Sequence, residues 1–509
     1  MLFRKFKVSE SLKNFHVVYL FFLVVYFAEA QEINNVDTVV GSITENDLIR
    51  HLEIIAHDSL EGRETGQPGL QKAAEYLQNQ FERIGLDPIK DGSENPYFQS
   101  FELIQGKWGD VTLIVGGYTY KDREDIVYIG DAPESYKKNI RLKFAGYGRE
   151  EDYRQMDFTN KGIVVLLPEN SRNWEDMVFT AMANGVEDVF IVYGETDEAL
   201  KKIIPFYNNY RSGIRFESEG SSLEDKAEVF LITPGTAERI FGTSMKKLKS
   251  VLKKTEKGKY RLINKITEAE AIAEVKSTLE NIQTQNVIGI VEGLQTPEEV
   301  VLLTAHYDHV GMRNGEIYNG ADDNGSGTVA ILELAEAFTL ARDLGLGPKR
   351  SVMFALFTGE EKGLLGSSYY VSDPVFPLSK TIADFNIDMI GRIDDKYVDN
   401  PDYVYLIGSD KISRELHTIS ENSNKDHIGL ILDYTYNADD HPEKFYYRSD
   451  HYNFAKNGIP VIFYFTGVHD DYHKPTDVID KILFDRMLSV TKLIFYTAWE
   501  VSNMDRELK

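Results

Sequence analysis

The sequence predicts an α/β protein in which a mixed, mostly parallel sheet lies between helices and a smaller β-rich domain is inserted. From residue 284 onward, short apolar runs alternate with amphipathic helical segments, which is the pattern of a parallel sheet with helical crossovers. In 110–265, by contrast, short β-like runs dominate. A chain of 509 residues is also long enough for two domains.

The composition supports large folded cores and excludes some classes of binding partner. Hydrophobic residues make up 42% of the chain, which argues against general disorder. The net charge of −25 argues against binding to the phosphate backbone of nucleic acids and to anionic membranes. Because the chain has no cysteine, disulfides, cysteine-held metals and thiol nucleophiles are excluded. Any metal must therefore be held by His, Asp and Glu.

Residues 1–30 resemble a secretory signal peptide. Basic residues precede an apolar run, Val17–Phe27, and the small-x-small pattern Ala28–Ala30 follows it. Eleven apolar residues are few for a membrane span, which takes ~20; the alternative is an uncleaved anchor. We expect a mature protein without stable membrane association that is exported, either to the periplasm or into the medium.

The remaining elements follow in order along the chain. Residues 44–87 are predicted to be largely helical, beginning with a capping-box-like pattern at Thr44 and ending at Gly85. The insert, 111–269, is predicted to hold five short strands and one helix. The Lys-rich stretch Lys246–Lys259 indicates a solvated helix face rather than a binding patch. The second half is predicted to contain strands at Val287–Val291, Val300–Thr304, Ser351–Phe357, Ile382–Met389, Tyr403–Ile407 and Ile459–Phe465, and helices at Thr328–Leu344 and Val478–Val501.

The histidines point to the second half as the active domain. No histidine occurs between residues 58 and 305, whereas eight of the eleven lie between 306 and 473. Two of them, together with several carboxylates and one tyrosine, lie near the carboxyl ends of predicted strands or in the loops that follow them. These residues are His306, Asp308, Asp322, Asp323, Glu360, Glu361, Asp388, Tyr472 and His473.

The carboxyl ends of parallel strands meet at one edge of a sheet, so these side chains are expected to converge. Histidines and carboxylates without cysteine suit Zn²⁺, Co²⁺ or Mn²⁺. There are enough donors for two sites that share a bridging carboxylate. The adjacent pair Glu360 and Glu361 offers one ligand and one base to take a proton from water.

Several motifs together resemble the secreted di-zinc aminopeptidases of the metallopeptidase group that also contains glutamate carboxypeptidase and the transferrin receptor. The likeness is greatest to bacterial members with an inserted protease-associated (PA) domain. It implies a zinc-exopeptidase-like domain formed by 31–110 and 270–509, and a PA-like domain at 111–269. The matching segments are DSLEGRETGQPG (58–69), FAGYG…NKGIVVLL (144–167), QNVIGIVEG (285–293), AHYDHVG (305–311), YNGADDNGSGT (318–328), FTGEEKGLLGS (357–367), NIDMIGR (386–392), RSDHYNF (448–454) and DYHKPTD (471–477).

The resemblance also implies two Zn²⁺ ions and a role for each matched residue. One zinc would be held by His306, Asp322 and Asp388, and the other by Asp322, Glu361 and His473. Glu360 would be the general base. Three further residues would assist: Asp308 by orienting the His306 ring, Tyr472 by hydrogen bonding to the developing oxyanion, and Arg448 by lying near the substrate. The other histidines of this half, His309 and His469 among them, fit loops or packing more easily.

The predicted function is hydrolysis of the N-terminal peptide bond of peptides. A carboxypeptidase, dipeptidase or other amidohydrolase on the same metal centre remains an alternative, and it would need basic residues for the substrate carboxylate. A single-zinc glutaminyl cyclase matches less well because both halves of a two-metal set are present. A non-catalytic binding protein is the third possibility, and absence of tightly held metal would favour it.

Overall fold

The computed structural model describes most of the chain after the predicted signal peptide, which lies outside the described residues. The described residues are 36–89, 93–130, 135–168, 174–207, 214–216, 228–255 and 260–509. They fall into two compact units: residues up to Phe101 together with Thr284–Lys509, and Glu102–Gln283. The segment 111–269 lies within the second unit.

The first unit is built on a mixed sheet whose central strands are parallel. Four neighbouring strands are parallel to one another. The strand that flanks this group on each side is antiparallel to the strand of the group with which it pairs. This arrangement confirms the predicted fold class. In spatial order the strands are Ile431–Asp433, Tyr403–Ile407, Val461–Phe465, Thr381–Ile387, Thr296–His306, Arg350–Phe357 and the last part of Ala269–Val291, beside which Asp87–Pro88 also pairs.

Side-chain alternation along the central strands explains why both faces of this sheet are covered. On Thr296–His306, Val301 and Leu303 pack into one apolar core, whereas Val300 and Leu302 pack into the core on the opposite face. A strand buried on both faces reads as a continuous apolar run. The burial of every residue of Arg350–Phe357 has the same cause.

Helices cover this sheet on both faces, and their ends follow the local sequence. Thr44 Oγ1 accepts a hydrogen bond from the Asp47 N–H at the start of the first helix, and Gly85 ends the second in a left-handed conformation. The predicted last helix starts later than expected, at Phe484, after a separate short turn at Ile479–Lys481. The helices of eight or more residues are Glu45–Ile55, Pro68–Ile84, Gly327–Asp343, Leu365–Ser372, Arg414–Ser423 and Phe484–Asn503, and a shorter one is His451–Ala455.

The second unit has its own sheet and its own apolar core. It is richer in helix than the sequence predicted. The parallel strands Tyr136–Phe144, Gly162–Leu166, Asp188–Val192 and Glu228–Ile232 are adjacent in that order. The helices are Glu150–Gln155, Glu175–Ala183, Asp197–Tyr207, Pro234–Phe241 and Met245–Thr255. In the last of these Leu248 and Leu252 are buried while most of the lysines are exposed, as predicted for a solvated face.

No helix in the described part of the chain is both long and apolar enough to span a bilayer.

Candidate metal centre

The carboxyl ends of the four parallel strands of the first unit bring the predicted site residues together. His306 is the last residue of one strand, and Asp388 directly follows another. Glu360 and Glu361 begin a short turn after Arg350–Phe357. His473 lies in the loop that follows Val461–Phe465. Convergence at this edge follows from the parallel pairing of the strands.

One group of possible metal donors consists of His306, Asp323 and Asp388. His306 Nε2 lies 3.4 Å from Asp388 Oδ1 and 3.6 Å from Asp323 Oδ1. All three residues are buried. Ser449 donates a hydrogen bond of 2.7 Å to Asp388 Oδ2, which orients that carboxylate.

A second group consists of His309, Asp323, Glu361 and His473. His473 Nε2 lies 3.0 Å from Asp323 Oδ2 and 3.1 Å from Glu361 Oε1. His309 Nδ1 lies 3.0 Å from the same Glu361 oxygen. The two groups share Asp323, whose two carboxylate oxygens face different histidines.

Asp322, the predicted bridging ligand, belongs to neither group; Asp323 occupies the shared position. Asp322 points away into the supporting structure, where its Oδ1 accepts a hydrogen bond of 2.7 Å from the Gly391 N–H and its Oδ2 lies 3.2 Å from His469 Nε2. Adjacent residues in this irregular turn project in different directions, and the sequence alone could not choose between two consecutive aspartates. The interpretation of His469 as loop or packing agrees with this contact.

Asp308 contacts the His306 ring through both its backbone and its side chain. The Nδ1–H of His306 donates to the backbone carbonyl of Asp308 at 3.1 Å, and Asp308 Oδ1 lies 3.6 Å from the same nitrogen, which leaves Nε2 free to face the donor group. The Asp308 carboxylate also accepts hydrogen bonds from Thr65 Oγ1 at 2.9 Å and from the Glu360 N–H at 3.2 Å. It therefore holds the turn that carries Glu360.

Glu360 is a member of neither donor group, and it faces a pocket beside them. Its Oε2 lies 3.9 Å from His306 Nε2. The pocket opens to solvent, and about 370 Å³ of space in and above it, part of it open solvent, holds no protein atoms. Its lining combines site residues with an apolar wall, and consists of Asp323, Glu360, Asp388, Met389, Phe445, Arg448, Phe463, Phe465, Val468, Tyr472 and His473.

Tyr472 and Arg448 both line this pocket. The Tyr472 ring stacks on His473 with ring centroids 3.9 Å apart. The guanidinium of Arg448 lies 4.6 Å from the centre of the Phe445 ring, and it pairs with Glu443 at 3.4 Å. With 41% of its side chain exposed, Arg448 lies at the mouth of the pocket.

Burial and crowding of charge shift the pKa values in opposite directions for the two adjacent glutamates. Burial raises the pKa of Glu360 well above its usual value, and the carboxylates of Asp388 and Glu361 add to this effect, although His306 opposes it. Burial also acts to raise the pKa of Glu361, but the imidazoles of His309 and His473, which lie close to its carboxylate, outweigh burial and hold the pKa well below its usual value. The histidines thus favour Glu361 as the anionic donor, whereas burial favours the protonated form of Glu360.

The chemistry of these donors fits divalent metal ions. In the part of the chain that the structure describes, Asp323 Oδ2, Glu361 Oε1 and His473 Nε2 are buried and make no hydrogen bond. Buried carboxylates at such density are costly unless cations compensate them. Histidine nitrogens and carboxylate oxygens without cysteine are donors that Zn²⁺ accepts. The residues present therefore fit zinc, and the two donor groups have Asp323 in common.

Two features of this site were missed in the sequence. His309 lies three residues after His306 in the same motif, and only its complete burial marks it as more than a loop residue. Arg63 is also fully buried, and its guanidinium donates to four backbone carbonyls. The acceptors are those of Ile55 at 2.6 Å, Asn319 at 2.7 Å, Tyr307 at 2.9 Å and Gly320 at 3.0 Å.

Comparison with known proteins identifies the same region. Residues 286–498 match the model of Peptidase family M28. Aminopeptidase YwaD of Bacillus subtilis is 28% identical over 253 residues, which are 47% of this chain and 49% of that protein. The chain thus spans about half the length of this curated relative.

Two solved structures share the fold across nearly the whole chain. The aminopeptidase from Aneurinibacillus sp. strain AM-1 aligns with a TM-score of 0.58 and 18% identity, covering 92% of this chain and 97% of that one. BSAP, a zinc aminopeptidase from Bacillus subtilis, aligns with a TM-score of 0.53 and 20% identity, covering 91% and 97%. At this identity the similarity shows the fold alone. The inserted PA-like domain stays a prediction, whereas the family resemblance drawn from the motifs is confirmed over residues 286–498, which match Peptidase family M28.

Proposed function

We propose that this chain is a zinc-dependent aminopeptidase that removes N-terminal residues from peptides with two zinc ions. The observation that carries the proposal is that two groups of possible metal donors share Asp323 beside a separate glutamate, Glu360. The aminopeptidases to which the chain is similar, one of them a zinc enzyme, support it. One ion would be held by His306, Asp323 and Asp388, and the other by Asp323, Glu361 and His473.

Zinc ions bound there would polarise the scissile carbonyl and lower the pKa of the attacking water. Glu360 takes the proton from that water and passes it to the leaving amine. A positioned carboxyl group of this kind can both accept and return a proton. The Asp308 carboxylate keeps Glu360 in place through the Glu360 N–H.

Tyr472 is placed to hydrogen bond to the oxygen on which negative charge develops. Burial raises the pKa of its hydroxyl, so the group stays protonated and able to donate. A preorganised donor of this kind stabilises the transition state more than the ground state.

The pocket walls support a preference for substrates with an apolar first residue. Met389, Phe445, Phe463, Phe465 and Val468 are the apolar residues of the pocket lining. The carboxylates of the same lining would hold the free α-amino group of the substrate. A peptide whose N-terminal residue is apolar presents such a free amino group next to an apolar side chain.

The alternative of a carboxypeptidase rests on Arg448, the arginine in the pocket lining, which would bind a substrate carboxylate. Its contacts with Glu443 and Phe445 already occupy much of the guanidinium. We therefore favour the aminopeptidase.

The test is a substrate panel assayed together with metal analysis of the purified protein. Leucyl- and phenylalanyl-nitroanilides should be cleaved, and their N-acetylated counterparts should not. Cleavage of N-blocked peptides at their C-terminal bond would instead show a carboxypeptidase. A protein that holds no zinc after purification and gains no activity when zinc is added would refute the proposal.

A further inference from the structure

We propose that His309 is a fourth protein donor to the ion held by Asp323, Glu361 and His473, so that the two ion sites of this chain are unequal. The inference rests on the proposed function, because it requires that ions bind at this edge of the sheet. It adds a ligand to one of the two sites and a difference in binding strength between them.

The environment of the His309 imidazole ring suits a metal ligand. His309 is completely buried. Among the described residues neither of its ring nitrogens makes a hydrogen bond of acceptable geometry. An unsatisfied buried polar group is costly and calls for an explanation. Its Nδ1 faces the donor group, 3.0 Å from Glu361 Oε1 and 3.6 Å from Asp323 Oδ2.

The spacing of the donor atoms also suits a single zinc ion. Zinc bonds to nitrogen and oxygen of ~2.0–2.1 Å in a tetrahedron place neighbouring donors about 3.3–3.4 Å apart. Within this group, the four donor contacts that join His309 and His473 to the two carboxylates measure 3.0, 3.6, 3.0 and 3.1 Å. These distances scatter around the tetrahedral edge, so one ion suits all four side chains.

The surrounding backbone holds the His309 ring in this position. The His309 N–H donates to the carbonyl of Arg63 at 3.1 Å. A Cβ atom at Gly320 would lie 2.5 Å from His309 Cδ2, so only glycine at this position leaves room for the ring. The His309 ring also packs edge-on against that of His473, with centroids 5.6 Å apart.

The other group, His306, Asp323 and Asp388, contains three protein donors in the described chain. Structural zinc sites are closed by four protein ligands, whereas catalytic sites keep one position open. The His309 side should therefore hold its ion tightly and exchange it slowly. The His306 side should bind its ion more weakly and leave a position for water and substrate.

The rival explanation is that His309 only donates a hydrogen bond to Glu361 and orients it. His309→Asn separates the two, because the asparagine amide can place an N–H donor near the position of Nδ1 but is a poor zinc ligand. His451→Asn is the matched control. His451 is equally buried, with ring nitrogens that make no hydrogen bond within the described residues, and it packs on Phe463 outside both donor groups.

The experiment is a stepwise Co²⁺ and Zn²⁺ titration of the metal-free full-length protein and of both variants, followed by calorimetry and by visible absorption. The wild-type protein and His451→Asn should bind one ion tightly and a second more weakly. In His309→Asn the tight step should weaken by more than the ~10–100-fold that loss of an outer-shell partner costs. The cobalt bands of that step should also move, because an imidazole nitrogen has been replaced.

A tight step that His309→Asn leaves unchanged in affinity and spectrum would overturn the inference while leaving the proposed function intact. A wild-type protein that binds no ion would instead refute the proposed function. If His309→Asn does not fold, X-ray absorption of the wild-type protein with one equivalent of zinc decides the question. Two imidazoles at that zinc support the inference, and one contradicts it.

Discussion

Both units of this chain contain a run of parallel strands, and they differ in where their buried carboxylates lie. In the first unit Asp388 and Glu361 follow the carboxyl ends of their strands. In the second unit Asp188 and Glu228 stand at the amino ends. Asp188 pairs with Lys138 at 2.7 Å, and Glu228 accepts a hydrogen bond from Tyr128.

The contrast shows that a parallel sheet alone does not create a site. The carboxylates of the second unit are paired with other side chains of the protein. Those of the first unit converge on one another at the edge where α/β sheets bind ligands, and bound cations would compensate their charge. The predictions below test this difference, beginning with the largest effect.

Asp323→Asn should abolish activity, because both donor groups lose their shared carboxylate. Loss of the ions forfeits several kcal/mol of transition-state stabilisation, which corresponds to more than about 10³-fold in rate. Asp322→Asn is the matched control and should retain both ions. Zinc content and nitroanilide hydrolysis measure the two variants, and the reverse ranking would restore Asp322 as the bridge.

Glu360→Gln should lower kcat by about 10²–10⁴-fold, because the general base is lost while every metal donor remains. Zinc content should equal that of the wild-type protein. Steady-state kinetics with parallel metal analysis is the measurement. Undiminished kcat would contradict the role assigned to Glu360.

Arg63→Lys should weaken zinc binding by about 10–100-fold, as expected for residues that support ligands from outside. Lysine cannot donate to all four backbone carbonyls through which Arg63 holds the loops before Asp322 and around Tyr307. The rise in melting temperature on adding zinc should shrink. A lower melting temperature with an unchanged zinc-dependent rise would show a purely structural role.

Glu333 should make the stability of the first unit depend on pH. Burial raises its pKa to about 8, whereas burial lowers the pKa of the neighbouring His51 to about 4. The folded protein keeps the proton on Glu333 above pH 4.5, so stability falls as pH rises to 8. His51 makes the stability rise with pH, but only up to pH 6.5. The fall in stability caused by Glu333 is therefore clearest between pH 6.5 and 8.

The slope that Glu333 contributes in that window is at most about 1.4 kcal/mol per pH unit. Glu333→Gln should remove it, with little change at pH 5. Urea unfolding at both ends of the window measures the effect. A Gln variant with the wild-type slope would show that another group is responsible.

Glu228→Gln should have the smallest effect on catalysis. It should lower the melting temperature of the protein because the Tyr128 hydroxyl loses a charged acceptor. Its kcat on short substrates should match the wild-type value. A large loss of kcat would show that the second unit takes part in the chemistry, and the contrast between the two sheets would then fail.

Much of this arrangement was readable in the sequence. Alternating apolar runs and helices predict a parallel sheet, and residues that follow the strands meet at one edge because side chains after parallel strands must converge there. His306, Glu360, Glu361, Asp388 and His473 were found by that rule. Local rules also placed the capped start of the first helix at Thr44 and its successor's end at Gly85.

Only the tertiary structure decided between neighbours in the chain. Asp322 and Asp323 are chemically identical and adjacent, and the course of one irregular turn determines which faces the donors and which accepts the Gly391 N–H. His309 looked like a loop residue because its burial depends on Gly320 and Arg63, which are close to it only after folding. Sequence patterns determine which chemical groups reach the sheet edge; the direction of each side chain depends on contacts between segments far apart in the chain.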